Sequence, residues 1–388
     1  MRYRSLHLLR SVKFLLLLWL GTAGIVAQAR HVIYVANSDS HSISVFGFDL
    51  EANHLTLQQT VPVGGAVMPM ALSSGELSPG ELSLELPPGK SPGDKPLLYA
   101  ATRSQPYQLL TFSIDPATGH LSERAAVPLT QNMANIALDA SGRFLFAVSY
   151  SGNSLHLHPL NKQGVPLAES SVIPLGLHPH QVTADPANQF IYVSLLGSDR
   201  VDYFRLNKNA SSVKTLEPAQ TPALHTAPGS GPRHFVFSTT GEFLYLLNEL
   251  AGSLQVYKRN ARSGKASLLQ SHLLTSATKK AWAADIHLTA GGRFIYATER
   301  STSQLVGFSV DHRSGRLTPV GSWSTEQQPR AFSISPDGKW LAVVGQLSQR
   351  MSIYAIDQNS GQLRLLGAHS TGKNPAWVEI VELPKPAP

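Results

Sequence analysis

The 388-residue sequence predicts an all-β fold, a seven-bladed β-propeller whose C-terminal strand closes the ring by pairing with the N-terminal blade. Three observations support this prediction. A pattern of short alternating strands and turn residues recurs along the chain, and no segment after residue 29 keeps a helical period. The chain also has no cysteine, so strand pairing rather than disulfides must protect the sheet edges.

The N-terminal 29 residues have the order of a cleavable signal peptide. A basic start is followed by an apolar run over Phe14–Leu20 and by the small-residue site Ala27-Gln28-Ala29. We expect cleavage before Arg30, which gives a periplasmic or secreted protein that no longer contacts the membrane. The alternative is a retained anchor, but the apolar stretch is shorter than the ~20 residues that a span needs. The basic residues are Arg2, Arg4, Arg10 and Lys13.

Composition and charge exclude several classes of function. Charged residues make up only 15% of the chain, below the roughly 25% of an average protein, which favours many short buried strands. Removing the four basic residues of the signal peptide lowers the formal charge from +7 to +3, and no Lys/Arg face stands out, so we expect no nucleic-acid partner. The absence of cysteine excludes thiol nucleophiles and Cys metal sites. We expect a monomer that forms one domain over residues 30–388.

Five consecutive copies of the repeat make up the middle and the end of the chain. Each copy has an alternating strand, a turn with Gly or Asn, a second apolar strand, a polar turn and a third alternating strand. The fourth, outer strands are weaker signals. The five copies are Asn135–Leu160, His180–Leu206, Arg233–Arg259, Asp285–Asp311 and Arg330–Asp357.

Two further copies at the N-terminal end bring the count to seven. Pro69–Asp115 is interrupted by the Pro/Gly-rich stretch Gly75–Lys95, which we interpret as a surface insertion, either a loop without function or a segment that alters the channel mouth. The copy His31–Asp49 begins directly at its second strand, whereas Ala376–Leu383 is a lone strand with no partners after it. Together these two segments make one complete blade, so we expect the ring to close there.

Polar residues gather where first strands start and second strands end. These two positions lie at the same rim of the central channel in every blade, so their side chains converge. Histidines, arginines and carboxylates at one rim predict a functional site, although a structural role remains the alternative for any single residue. The rim residues are Ser149, Tyr150, Asn153, His178, His180, Arg233, His234, Asn248, Glu249, Asp285, His287, Glu299, Arg300, Arg330 and Gln346.

Four motifs at this rim resemble those of the bacterial 6-phosphogluconolactonase family, the seven-bladed propeller lactonases related to fungal carboxy-muconate lactonising enzyme. The motifs are Gly231-Pro232-Arg233-His234, Asn248-Glu249-Leu250, Trp282-Ala283-Ala284-Asp285-Ile286-His287 and Gln328-Pro329-Arg330. The resemblance runs from about His31 to Leu383 and implies a metal-independent lactone hydrolase without a cofactor. One departure is the pair Glu299-Arg300, which reads Asp-Arg in the family.

The chemistry of lactone opening suggests a role for each rim residue. Opening the ring needs a base for water, donors for the developing oxyanion and an acid for the leaving alkoxide. The resemblance carries His180, Arg233, Glu249 and Arg300 into the site. We assign Glu249 as general base or acid, with His180 and His287 as second proton carriers. The substrate-binding candidates are Arg233, Arg300, His234, Asp285 and Arg330.

Other functions stay open at this point, because propellers host many unrelated activities. A non-catalytic propeller that binds a periplasmic protein or glycan would tolerate mutation of the rim. A cycloisomerase or a metal-dependent lactonase would use the same rim, although His178-Pro179-His180 is a weak metal motif. A serine triad lacks support because the chain has no Gly-x-Ser-x-Gly motif.

Overall fold

A computed structural model describes residues 30–50, 52–73, 96–169, 171–207, 215–218, 223–275 and 280–383. The predicted signal peptide and the predicted insertion Gly75–Lys95 lie outside these residues. Within them, seven antiparallel sheets form the blades of a propeller. No helix in the described ranges is long and apolar enough to cross a membrane.

The first three blades follow one another from the ring closure, and the strands of each blade are ordered from the channel outwards. Blade 1 contains β29 (Pro375–Leu383), β1 (Arg30–Asn37), β2 (Ser42–Asp49) and β3 (His54–Pro62). Blade 2 contains β4 (Val67–Leu72), β5 (Leu97–Thr102), β6 (Gln108–Ile114) and β7 (Leu121–Pro128). Blade 3 contains β8 (Asn135–Leu138), β9 (Phe144–Ser149), β10 (Ser154–Pro159) and β11 (Ser171–Pro174).

The remaining four blades repeat this order. Blade 4 contains β12 (Pro179–Ala184), β13 (Phe190–Leu195) and β14 (Arg200–Leu206), with β15 (Leu216–Pro218) and β16 (Leu224–His225) both paired to β14. Blade 5 contains β17 (Pro232–Phe237), β18 (Phe243–Asn248), β19 (Ser253–Arg259) and β20 (Ala266–Leu273). Blade 6 contains β21 (Ala283–Leu288), β22 (Phe294–Glu299), β23 (Gln304–Val310) and β24 (Leu317–Ser324). Blade 7 contains β25 (Pro329–Ile334), β26 (Trp340–Gly345), β27 (Arg350–Ile356) and β28 (Leu363–Ser370).

The ring closes in blade 1 as the sequence predicts. Strand β29 supplies the innermost strand and pairs antiparallel with β1, from Arg30 opposite Leu383 to Asn37 opposite Pro375. The first and last strands that the structure describes therefore share one sheet, in which β1 has a partner on both sides.

The hydrophobic core lies between neighbouring blades. Each second strand is buried on both faces, which explains why these strands read as continuous apolar runs such as those of β18 and β26 rather than alternating ones. One core cluster, for example, joins residues of blade 1 with residues of blade 2. Blade packing is thus repeated around the ring.

Tyrosines on the second strands of blades 1, 2, 4 and 6 tie each of these blades to the next one at a glycine turn. The Tyr192 hydroxyl donates to the Gly264 carbonyl at 2.6 Å, and Tyr296 donates to Gly361 at 2.7 Å. Gly264 has a φ of +76°, and a Cβ there would lie 2.4 Å from the Tyr203 ring. Only glycine fits, because the turn needs a left-handed residue and the neighbouring blade packs directly against it.

The insertion is attached away from the predicted site. Its flanks are the end of β4 and the start of β5, where the Leu97 amide donates to the Ser73 hydroxyl at 2.9 Å. First strands end and second strands start at the face opposite the mouth, so these attachment points do not border the mouth.

Candidate active site at the channel mouth

A repeated β-bulge places the predicted side chains at the mouth. In β12, β17 and β25 the register shifts just after the starting proline, leaving His180, Arg233 and Arg330 as the extra residues. The residue before each proline has positive φ, and the proline needs no ladder partner at the first position of a strand. A bulge re-aims its extra side chain, so three blades present one functional residue each in the same way. Blade 1 has the same bulge, with Ala376 as the extra residue.

Glu249 lies between two arginines. Its Oε2 is 2.8 Å from Arg233 Nε and 2.9 Å from Arg300 Nη2, and its Oε1 accepts the Trp282 indole N–H at 3.1 Å. The Arg233 contact is an ion pair whose N–H is not aimed at the oxygen. Burial alone would raise the pKa of Glu249, but the cations of Arg233, Arg300 and Arg330 lower it below its usual value. The carboxylate is therefore ionised near neutral pH, which suits a base and not an acid in the resting site.

The backbone of blade 6 fixes both arginines. Arg233 donates to the Ala284 carbonyl, while Arg300 donates to the carbonyls of Trp282 and Ala283, each at 3.1 Å. The Arg300 guanidinium also stacks 3.9 Å from the centre of the Trp282 ring. Because these bonds use fixed carbonyls, the two guanidinium groups are pre-organised before substrate binds.

Glu299 has a structural position. Its carboxylate is fully buried and accepts the Trp282 amide at 2.6 Å and the Thr302 hydroxyl at 2.6 Å. The residue thus holds the loop that presents Arg300. The resembled family has aspartate at this position. The longer side chain of Glu299 reaches the Trp282 amide and the Thr302 hydroxyl and does not enter the mouth.

Asp285 joins two of the predicted histidines. Its Oδ1 lies 2.8 Å from His234 Nδ1 and its Oδ2 lies 3.2 Å from His287 Nε2. Burial opposes ionisation of Asp285, but both histidines hold its pKa well below the usual value. Burial and Arg233 lower the pKa of His234 to about 4, whereas Asp285 overcomes burial and raises the pKa of His287. His234 is therefore neutral near pH 7, and His287 more readily carries a proton.

His180 packs against His234 with ring centres 5.0 Å apart, and its Nδ1 is buried without a hydrogen-bond partner. Burial and the nearby Arg233 hold the pKa of His180 well below its usual value. His180 is therefore a neutral imidazole next to the arginine pair. His178, its neighbour across the proline, instead stacks on Tyr150 at 4.3 Å.

A cavity of about 280 Å³ lies in the central channel among the innermost strands. His234, Asp285 and His287 line it together with Trp377 and Glu379 of the closing strand. Trp377 donates to Glu379 at 2.7 Å. The sequence reasoning did not select these two channel residues, although their alternation in β29 points both to the same face.

Two other mouth residues were also missed. Trp282 was noted only as part of a motif, yet it contacts both Glu249 and Arg300. Arg103 directly follows β5, the position that Glu249 occupies after β18 and Arg300 occupies after β22. Because second strands end at the rim, the sequence also predicts Arg103 of blade 2 as a rim residue.

A serine, a histidine and a glutamate do line up in blade 3, although the sequence offers no serine motif. Ser154 Oγ lies 2.9 Å from His156 Nε2, and His156 Nδ1 contacts Glu169. Ser154 and His156 are only 3% and 0% exposed, and the serine hydroxyl also bonds Gln131 at 2.9 Å. The chain of bonds therefore ties β10 to two loops and presents no accessible nucleophile.

Metal-site geometry is not found in the part of the chain that the structure describes, where no three His, Asp or Glu side chains are grouped to hold an ion.

Known proteins are similar to this chain over most of its length. The family described as "Lactonase, 7-bladed beta-propeller" matches residues 91–380. A 6-phosphogluconolactonase of Serratia proteamaculans is 34% identical over 354 residues, covering 91% of this chain and 99% of the relative. One from Pectobacterium atrosepticum is 33% identical over 360 residues, with 91% and 99% covered.

Solved structures agree with the propeller. A periplasmic gluconolactonase of Pseudomonas aeruginosa superposes with a TM-score of 0.79 at 27% identity, covering 92% of this chain and all of the other (100%). A putative 6-phosphogluconolactonase of Bacteroides fragilis gives a TM-score of 0.78 at 23% identity, with 92% and 99% covered, and supports the fold alone.

Proposed function

The chain belongs to the lactonase family of seven-bladed β-propellers, and we propose that it hydrolyses the lactone ring of a sugar acid, the type of substrate named for its 6-phosphogluconolactonase relatives. One observation carries the proposal. The ionised carboxylate of Glu249 is held between two buried arginines at the mouth, next to neutral imidazoles. This arrangement combines a proton acceptor with oxyanion donors.

In the proposed reaction Glu249 accepts a proton from water while the water oxygen attacks the lactone carbonyl carbon. The N–H groups of Arg233 and Arg300 stabilise the negative charge that develops on the carbonyl oxygen. The ring C–O bond then breaks and the alkoxide takes up a proton. His287 suits this last step because its pKa is raised, whereas the lowered pKa of His180 keeps it neutral but makes it a weak base, so His287 is the better proton carrier of the two.

We also propose that the protein acts outside the cytoplasm. The signal-peptide pattern of residues 1–29 supports this, and the similarity to a periplasmic gluconolactonase supports it further. Strand β1 begins at Arg30, so cleavage before that residue leaves every described strand intact. N-terminal sequencing of exported protein should start at Arg30, and an intact Met1 chain in the soluble cytoplasm would contradict the proposal.

A hydrolysis assay tests the activity. Purified residues 30–388 are mixed with 6-phosphogluconolactone or glucono-δ-lactone, and acid release is followed by pH-stat against spontaneous hydrolysis. We expect acceleration that a chelator does not remove and that Glu249→Gln lowers by about 10²- to 10⁴-fold. Glu123→Gln, on the exposed outer strand β7, is the matched control. If neither lactone is hydrolysed faster than in buffer, the protein is a binding propeller or acts on another class of lactone.

A further inference from the structure

Four guanidinium groups meet at the mouth, but they are not equally paired. Arg233 and Arg300 share the carboxylate of Glu249. Among the residues that the structure describes, no carboxylate pairs with Arg103 or Arg330. Two arginines without a carboxylate partner are unusual for a rim that only has to fold.

Arg330 reaches from blade 7 across blade 1. Its Nε lies 3.3 Å from the sulfur of Met68, a residue at the start of the first strand of blade 2. Blade 1 between them carries Ala376 at the bulge position, where Arg330 stands in blade 7. Because the alanine offers only a methyl group, the Arg330 side chain can extend across blade 1 to Met68.

Arg103 approaches the same place from blade 2. Its amide donates to the Ala66 carbonyl at 2.7 Å, two residues from Met68. Its side-chain Nε is buried and has no hydrogen-bond partner. A buried donor without a partner loses the hydration that it would have in water, so a ligand that accepts its hydrogen bond is favoured.

The charges at this point repel one another. Burial lowers the pKa of Arg330, and the cations of Arg233, Arg300 and Arg103 lower it further. Burial also lowers the pKa of Arg103. A bound anion would relieve this repulsion, which the distant Glu249 only partly offsets.

We propose that Arg103 and Arg330 form an anion subsite that binds the phosphate of a phosphorylated sugar-acid lactone, while Arg233, Arg300 and Glu249 act on the ring. This inference rests on the proposed lactonase function. Phosphate is favoured over carboxylate because two planar guanidinium groups offer donors for three terminal oxygens that carry about 1.5 to 2 negative charges.

Steady-state kinetics test the subsite. Arg103→Gln and Arg330→Gln should each raise KM for 6-phosphogluconolactone by about 10- to 100-fold, the loss expected for one charged hydrogen bond, with kcat nearly unchanged. The losses on glucono-δ-lactone should be much smaller for both variants, whereas Arg124→Gln on the exposed strand β7 should leave the values for both lactones within about twofold of wild type. Equal losses on both lactones, or a greater dependence of a carboxylate-bearing lactone on these arginines, would overturn the phosphate subsite and leave the lactonase function intact.

A binding measurement separates the two proposals. Wild-type protein should be stabilised against heat by 6-phosphogluconate far more than by gluconate, and both arginine variants should lose that difference. Because each variant removes a charge that its neighbours repel, its melting temperature without ligand should equal or exceed that of wild type. If the arginines only stabilised the fold, the melting temperature would fall instead. If the wild type hydrolyses no lactone but shows this selective stabilisation, the subsite stands and the proposed function fails. No difference between the two ligands overturns the subsite.

Discussion

The strongest perturbation of the site is Glu249→Gln, which keeps the shape of the side chain and removes its charge. Arg233 is 1% exposed and Arg300 is 4% exposed, so neither can recover hydration when the carboxylate is lost. Removing one partner of a buried ion pair costs about 3–5 kcal/mol because it leaves an uncompensated charge. We expect about 3 kcal/mol for this substitution, since the Glu249 side chain is itself 14% exposed and part of its charge is screened by water.

Activity should fall independently of stability. Loss of the proton acceptor is expected to lower kcat by about 10²- to 10⁴-fold, with KM little changed. Denaturant unfolding measures the stability of the wild type, Glu249→Gln, Arg233→Met and the double variant, and pH-stat assays measure their turnover. The double variant should recover part of the lost stability, because the buried charge of Arg233 is gone, but none of the lost turnover.

Two results would refute this reasoning. Near-normal turnover of Glu249→Gln on every lactone that the wild type hydrolyses would make the carboxylate a structural partner of the arginines. Strictly additive losses of stability in the double variant would show that Glu249 and Arg233 do not interact energetically. Glu123→Gln reports the effect of the same substitution away from the site.

Three further predictions concern the ring and the channel. Deleting residues 375–388 removes β29 and exposes the edge of β1, so the protein should aggregate or melt at a much lower temperature; an unchanged melting temperature would exclude closure of the ring by β29. Gly264→Ala should destabilise the protein by about 1–3 kcal/mol more than Gly229→Ala. The two glycines have nearly the same positive φ (+76° and +77°), but only Gly264 is packed against a neighbouring blade. Calorimetry on both variants measures the difference. Burial raises the pKa of Glu379 to about 7, above its unfolded value, so the folded protein binds more protons and loses stability as pH rises from about 4.5 to 7. Glu379→Gln should remove this loss, and equal pH profiles for the two proteins would contradict it.

The architecture could be predicted from the sequence because every blade has the same recognisable pattern of short strands and turn residues. The apolar run of β18 is long enough to be buried on both faces, and the lone strand Ala376–Leu383 needs a partner that only His31–Asp49 can offer. Both features depend on local alternation and on counting, which need no knowledge of side-chain geometry.

The site was less predictable because its contacts depend on geometry between blades. The predicted residues His234, Asp285 and His287 do meet, but spacing along the chain does not show that one carboxylate bridges both rings. The sequence also does not show which arginines pair with Glu249 and which have no carboxylate partner among the described residues. This pairing depends on how far Arg330 extends across the blade that carries Ala376, which no periodicity encodes.

The repeated bulge has a consequence for how such a protein changes during evolution. His180, Arg233, Arg330 and Ala376 occupy equivalent positions, each preceded by a proline that sets the backbone in the same way. A side chain exchanged at one of these positions enters the channel without altering the pairing of the strand that carries it. New substrate specificity can therefore arise by single substitutions at these bulge positions. In blade 1 this position holds Ala376, which presents only a methyl group.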